Sequence, residues 1–383
     1  MLITVVSDVL GEENNGTSIA AMNLIRSLKK KGHTVRILCA DTDKEGVEGY
    51  YISPSLSLGK ILNSYVKKVG VTIAKGDDKI VRQAIDGVDH VHIMLPFGLG
   101  SRAATFAKEQ GISTTAGFHM QAENLTSYVK LNKLKFVNKW VYKYIYRKLY
   151  SRVGGIHYPT EFIKNVFESN IKKQTNGYVI SNGVNAYVQK RPTEKPDEFK
   201  DKIVILSCGR YAREKSQDTL IKAVKLSKYK DKIQLILAGQ GLKEKKYKKL
   251  AKSLTNPPVF KFVSRSEIID MINYCDLYVH SADIELEGIA CTEAITCGKL
   301  TIVSDSKLSA TRNFAIDQTC VFNKRNPKSL AKVIDYWIEN PEKKKEYEQK
   351  YLESAVSFNQ DECMDLMEKM IFEVHQAKKE AVK

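Results

Sequence analysis

The chain contains no run of about 18 apolar residues, the length a membrane-spanning helix needs, so no integral membrane fold is expected. Nor does it open with a basic leader. Residues 1–7 are a short apolar run followed by acidic, Gly and Asn residues, which does not read as a signal peptide and predicts a cytoplasmic protein. The seven cysteines, Cys39, Cys208, Cys275, Cys291, Cys297, Cys320 and Cys363, are odd in number, scattered and without a C-x-x-C pair. That argues against a disulfide framework or a zinc site and predicts reduced, mostly buried thiols. No short-period repeat or low-complexity tract is present. Acidic residues are in short supply, 44 against 61 basic ones, for a formal charge of +17. Such an excess is turned toward something acidic, whether nucleic acid, anionic lipid or a phosphorylated substrate. Residues 1–190 hold 26 basic and 15 acidic residues, so most of the excess, +11, lies in the first half.

At 383 residues, 43% apolar and 27% charged, the chain is a soluble globular type, long enough for two cores. Apolar strand patterns occur at residues 2–7, 35–38, 90–95, 113–116, 155–158 and 177–180. Between the first two, Ile19, Met22, Leu24, Ile25 and Leu28 recur at helical spacing, and Gly32 ends the helix. Residues 184–200, with Pro192 and Pro196, break the rhythm. It resumes with strands at 203–206, 234–237, 259–262, 277–279 and 300–303, helices standing between them. Strands alternating with helices predict an α/β chain with two parallel sheets, each covered on both faces. From Asn326 onward the pattern is helical, and the last helix, 361–383, is expected to return to the first domain.

Three motifs follow strands of the second half. Gly209-Arg210-Tyr211-Ala212-Arg213-Glu214-Lys215 comes directly after one strand and before a helix. Leu235-Ile236-Leu237-Ala238-Gly239-Gln240-Gly241 is a strand with a G-x-G turn. Glu285 and Glu293 have seven residues between them and are followed by Ala294-Ile295-Thr296-Cys297-Gly298-Lys299. Ligands in doubly wound sheets bind at the carboxyl ends of strands, where Arg210 and Lys215 stand. Guanidinium, ammonium and helix amides there can offset the charge that develops on a leaving nucleoside diphosphate. A helix beginning at Gly288-Ile289-Ala290 would offer such amides, with Glu285 and Glu293 directed at hydroxyls on either side. Read without their neighbours, the Arg and Lys could equally be solvated loop residues, and two Glu at this spacing are common on surface helices.

Together, in this order, the motifs resemble the donor-binding half of the family 4 glycosyltransferases, retaining enzymes of the GT-B fold, in their bacterial form. Asn15-Gly16-Thr17, Lys31-Gly32-His33 and residues 179–184 are weaker echoes of the same family in the first half. The resemblance implies two Rossmann-like, doubly wound parallel-sheet domains facing a central cleft. Residues 1–184 would be the acceptor-side domain, joined by helix 361–383, with a linker at 185–200 and the donor domain at 201–360. It implies retaining transfer of a hexose from a nucleotide diphosphate sugar, with UDP-sugar favoured, to an acceptor hydroxyl. No cofactor and no metal are required. Glu285 would lie by the donor sugar and Glu293 would hold the ribose. Where the family has Phe two residues after the first Glu, this chain has Glu287. His119, just after a strand, matches a family histidine that faces the donor sugar, against the plainer reading of a structural loop histidine. Gly16 would let the loop backbone approach the donor phosphates, against the plainer reading of a helix cap.

Two other motifs lead elsewhere. Asp41-Thr42-Asp43 has the D-x-D form of a metal site but follows a strand in the first Rossmann unit, and no metal role is expected. Gly239-Gln240-Gly241 lacks the third glycine of a dinucleotide fingerprint, so a dehydrogenase is not expected.

Residues 126–152 carry eight basic side chains and no acidic one, interleaved with Tyr128, Phe136, Trp140, Tyr142, Tyr144, Tyr146 and Tyr150. This suits a helix on an anionic leaflet, with Lys135, Lys139, Trp140, Lys143 and Arg147 as contacts. A core helix with a solvated basic face explains much of the same spacing. Residues 60–75 are a second basic, apolar stretch. The expected partners are therefore a nucleotide-sugar donor, an acceptor that is a lipid or lipid-linked glycan, and an anionic membrane surface. Nucleic acid is not expected, since no binding motif for it is present. The competing functions are transfer to a small soluble acceptor, a same-fold sugar-nucleotide epimerase, and an inactive binding subunit.

Overall fold

The computed structural model describes residues 1–8, 10, 16–56, 74–128 and 134–381. They form two compact units, Met1–Gly183 with Asp361–Lys383, and Val184–Gln360.

The first unit is built on seven strands: β1 (Leu2–Val6), β2 (Thr34–Cys39), β3 (Tyr50–Ile52), β4 (His90–Ile93), β5 (Ser113–Gly117), β6 (Gly155–Tyr158) and β7 (Gly177–Val179). Their order is β3-β2-β1-β4-β5-β6-β7, and every pairing is parallel. Central strands of such a sheet are buried on both faces, which is why β4 is buried at all four positions and Ile3, Val5 and Val6 of β1 are inaccessible. The helix Gly16–Lys30 packs Ala20, Ala21, Leu24, Ile25 and Leu28 into the core. The same core takes Cys363, Met364, Met367, Met370 and Ile371 from the helix Gln360–Glu380. Glu368 of that helix receives Lys31 at 2.6 Å and lies 2.7 Å from His33 Nε2, so polar contacts fix the helix where the apolar ones place it.

The second unit repeats the plan with β8 (Ile203–Cys208), β9 (Ile233–Ala238), β10 (Val259–Lys261), β11 (Leu277–His280), β13 (Thr301–Ser304) and β15 (Val321–Phe322). They are ordered β10-β9-β8-β11-β13-β15, again all parallel, and a short pair joins β12 (Ile284–Glu285) to β14 (Leu308–Ser309). In each sheet the chain leaves the first strand on one side and returns on the other. The switch points therefore lie at the carboxyl ends of β1 and β4, and of β8 and β11.

Residues 185–200, expected as a linker, pack on the second unit. Val188 and Phe199 enter its core, Arg191 bonds Asp270 at 2.5 Å and Lys195 bonds Asp276 at 2.8 Å. Proline content marked the break in periodicity but carried no information about these side chains. All seven cysteines are buried, and no disulfide is formed among the described residues.

Candidate functional site

The loop after β8 and the turn after β9 fit as one piece. Tyr211 N–H donates to Gln240 O at 2.8 Å, the Tyr211 hydroxyl donates to Leu237 O at 2.6 Å, and Gly209 N–H donates to Ala238 O at 2.9 Å. A Cβ on Gly239 would stand 2.1 Å from Gly209 O, which explains the glycine there. The G-x-G turn thus shapes the Arg210–Lys215 loop from behind.

That loop is laced to the one after β11 across the switch point. Asp283 N–H donates to Glu214 O at 2.7 Å and Ser281 Oγ donates to Lys215 O at 2.9 Å. Lys215 Nζ then contacts Glu285 Oε2, and His280 Nε2 lies 3.2 Å from the same oxygen. Burial alone would raise the Glu285 carboxyl. The Lys215 ammonium and the His280 ring outweigh it and hold the group down at about 2, so Glu285 is a carboxylate at any ordinary pH. Arg210 is 42% exposed, with its guanidinium 3.3 Å from Glu214. Deeper in, Arg325 contacts the buried Asp283.

Gly288 caps the helix Ile289–Thr296 with φ of +91°, and a Cβ there would meet Thr311 Cγ2 at 2.5 Å. Ile289 and Ala290 follow it, and amides of a first helical turn have no acceptor within the helix. Glu287, at the position of the family's Phe, is buried at 4% exposure. Glu293, in the second turn, is 2% exposed, and Arg265 contacts its carboxylate. Burial raises the Glu293 carboxyl, and the guanidinium offsets only part of the rise. Lys215 and Glu285 are therefore in contact, while Glu293 has a partner of its own. His280 and Arg265 were not anticipated. His280 was legible as the last residue of a strand at the switch point; Arg265, 28 positions before Glu293, gave no sequence signal.

In the first unit, His119 follows β5, and its ring lies over Gly117, where a Cβ would meet Nε2 at 2.4 Å. Burial, then the neighbouring His157 and His92, push its pKa well below the ordinary value. His119 Nε2, His92 Nε2 and His157 Nδ1 are buried without hydrogen-bond partners among the described residues. His92 is oriented by a chain of side chains. Its Nδ1 lies 2.8 Å from Thr115 Oγ1, which is 2.8 Å from His90 Nε2, and His90 Nδ1 is 2.7 Å from Ser113 Oγ. Because Ser113 Oγ donates to Asp89 O, it accepts from His90. Taken neutral, the rings then have a fixed order of protons that leaves His92 Nε2 as an unprotonated acceptor. Gly16 is the exposed first residue of its helix, and Asn15 before it lies outside the described residues.

Asp8, two residues beyond β1 and 1% exposed, was also not anticipated. Burial lifts its carboxyl to about 7, although the Ala74 N–H donated to it at 3.0 Å opposes the rise. Of the D-x-D pair, Asp41 accepts Leu10 N–H at 2.7 Å and Asp43 pairs with Lys44 at 2.9 Å.

The basic segment divides in a way its composition did not reveal. On the helix Lys135–Ile145, Phe136, Trp140 and Tyr144 are 72%, 64% and 47% exposed. They stand four residues apart and so share one face. Tyr142 and Tyr150 are buried core residues, contrary to their reading as interfacial aromatics: Tyr142 falls on the opposite face of this helix, and Tyr150, beyond its end, packs on Phe118 and Phe167. Lys135, Lys143 and Arg147 are exposed and Lys139 is half-buried. Lys130, Lys133 and most of residues 60–75 lie outside the described residues. Among the described residues no helix is long and apolar enough to cross a membrane.

The model of the glycosyl transferases group 1 matches residues 188–352, and that of glycosyltransferase family 4 matches residues 14–187. No curated protein sequence gives a significant match. Among solved structures, the sucrose-phosphate synthase of Thermosynechococcus elongatus is similar with a TM-score of 0.79 and 15% identity, over 98% of this chain and 100% of that one. HepE of Anabaena in complex with UDP and glucose gives 0.73 and 15%, over 97% and 100%. Both are likenesses of fold. The catalytic domain of cholesterol-alpha-glucosyltransferase from Helicobacter pylori is 43% identical over 41% of this chain and 99% of its own, with a TM-score of 0.38.

Proposed function

The chain belongs to the family 4 glycosyltransferases, of the GT-B fold, and from that premise we propose that it transfers a hexose from a UDP-sugar to an acceptor hydroxyl with retention and without a metal. The observation that carries the reading is the contact of Lys215 with Glu285, beside His280, at the β8/β11 switch point. An ammonium already balanced by a carboxylate supports a site that receives a diphosphate next to a sugar: Lys215 meets the phosphate and Glu285 orients the sugar hydroxyls. Arg210 and the amides at Ile289 and Ala290 offset the rest of the developing charge. Glu293, with Arg265 holding it, accepts from the ribose hydroxyls.

In this reading the acceptor oxygen attacks the anomeric carbon on the face from which the phosphate departs. Its proton passes to the leaving phosphate oxygen, so the new glycosidic bond keeps the donor's configuration and the nucleoside diphosphate leaves protonated. Glu285 forms no bond to the sugar. The roles of Gly16 and His119 toward the donor rest on the family resemblance alone. HepE's complex with UDP and glucose supports UDP-glucose as the first donor to test.

The exposed Phe136, Trp140 and Tyr144 on a helix that also carries Lys135, Lys139 and Lys143 support a membrane lipid or lipid-linked glycan as acceptor and a peripheral position on the inner face of the membrane. The deciding experiment incubates the protein with UDP-sugars, with and without vesicles carrying hydroxylated lipids, in chelator, and reads the products by NMR. A glycolipid with the donor's anomeric configuration is expected. An inverted product, a strict need for a divalent cation, or interconversion of sugar nucleotides without acceptor would overturn the reading.

A further inference from the structure

A groove of about 440 Å3 in the first unit takes no part in the donor-binding roles assigned above. One wall is the start of the helix Gly98–Glu109, with Pro96 and Phe97 before it; the other carries Tyr144, Lys148 and Arg152. Three cations line it, Arg102, Lys148 and Arg152, together with the hydroxyls of Ser101 and Thr105, and no carboxylate does. Arg102 also contacts Asp78, which does not line the groove. Arg152 donates to Thr105 Oγ1 at 2.6 Å, and Lys148 Nζ stands 5.8 Å from the centroid of the Tyr144 ring. Neither Lys148 nor Arg152 has a carboxylate partner among the described residues. Like charges gathered in one concavity repel unless an anion joins them. Guanidinium, ammonium and hydroxyl donors in combination suit phosphate oxygens.

The groove has an apolar edge. Tyr144 forms part of its wall and also stacks on Trp140 at 5.5 Å between ring centroids, continuing the exposed row that ends at Phe136. Cations flanked on one side by exposed aromatics fit an amphiphile, whose charge lies in a pocket and whose apolar part lies beside it. We propose that this groove binds the phosphate of an anionic membrane phospholipid, with the Phe136–Trp140–Tyr144 row inserted at headgroup depth next to it. The proposal rests on the membrane-facing reading of this helix and not on glycosyl transfer.

The test is co-sedimentation of the full chain with vesicles of phosphatidylcholine, alone or with one part in five of phosphatidylglycerol. The variant with Lys148→Ser and Arg152→Ser should bind the charged vesicles more than about 25-fold more weakly, beyond the fivefold or so that each basic residue merely near the surface contributes, with binding to neutral vesicles unchanged. Phe136→Ser with Trp140→Ser should weaken binding to both. The control with Lys135→Ser and Lys139→Ser removes the same charge from outside the groove and should cost less than the groove pair. Equal losses in the two pairs would overturn the groove while leaving the membrane-facing helix standing. Failure of the unaltered protein to bind either vesicle would overturn both. Inorganic phosphate or single-stranded RNA that displaces the protein from charged vesicles at lower concentration than dispersed phosphatidylglycerol would assign the groove to a soluble anion and also overturn the proposal.

Discussion

Lys215 and Glu285 stand 70 residues apart in the chain and touch at the edge of the second sheet, each less than one-fifth exposed. The contact joins the first and third motifs in one unit, and it couples the groups: removing the ammonium strips Glu285 of its main counter-charge.

Replacing Lys215 with Ala should therefore lower turnover by about 10²-fold or more, as loss of one preorganised electrostatic donor does. Lys215→Arg should recover part of it, since a cation returns with a different reach. Steady-state kinetics in chelator checks both. A wild-type rate for Lys215→Ala would remove this residue from the chemistry.

Glu285 and Glu293 should separate in their effects. Glu293→Gln should weaken free UDP binding about tenfold or more, whereas Glu285→Gln should mainly slow transfer, because a contact to the nucleotide is made in the ground state and one to the reacting sugar matters at the barrier. Calorimetric titration with UDP beside single-turnover rates resolves the two. Since Glu293→Gln also leaves Arg265 without its counter-charge, its melting temperature should fall, and Arg265→Met in the same background should restore part of that loss. Equal loss of UDP affinity in both glutamate variants would end this division of labour.

Acid should unfold the first unit early. Burial lowers His157 to about 4 although its bond to the Ile180 carbonyl opposes the shift; burial, then neighbouring rings, lower His90 to about 3 and His92 and His119 well below 6.5. The unfolded chain binds protons at these rings once the pH falls below about 6.5, and the folded chain does not until about 4. Stability is therefore lost as pH falls from 6.5 toward 4, by up to about 1.4 kcal/mol per pH unit for each ring. Urea midpoints measured at pH 7 and pH 5 should differ accordingly, and His157→Gln should shrink the difference. Equal midpoints would contradict the neutral, buried state of these rings.

Asp8 works in the opposite direction. With its folded pKa near 7 against 3.8 unfolded, its protonated form favours folding at low pH, and that contribution is lost as pH rises through 7. Asp8→Asn keeps an acceptor for Ala74 N–H and adds no charge. It should raise the melting temperature at pH 8 and change it little at pH 4. A variant less stable at pH 8 would show that the carboxylate itself is needed there.

Much of this architecture was legible in the sequence because buried parallel strands are nearly continuous apolar runs: Ile203–Cys208 and Ile233–Ala238 declare themselves without help. The pairs Ile284–Glu285 with Leu308–Ser309, and the strands Tyr50–Ile52 and Val321–Phe322, are two or three residues long, too short for any periodicity to register. Motif order placed Arg210, Lys215 and Glu285 at one switch point. Partners across long spacings, such as Arg265 for Glu293 or the ring sequence His90–Thr115–His92, had no local signature, since only the pairing of strands brings them together. Aromatic spacing in residues 135–150 overcounted the exposed face because Tyr142 and Tyr150 point inward.

The helix Gln360–Glu380 supplies Met364, Met367, Met370 and Ile371 to a core most of whose other members lie at the start of the chain, from Ile3 to Cys39. Synthesis therefore runs against the assembly order. The unit made of one continuous stretch, residues 184–360, is synthesised whole while the one begun earlier still lacks a wall. Until its final helix emerges, the nascent first sheet leaves the face that receives these four residues open, and a chaperone acting on this protein would meet it there.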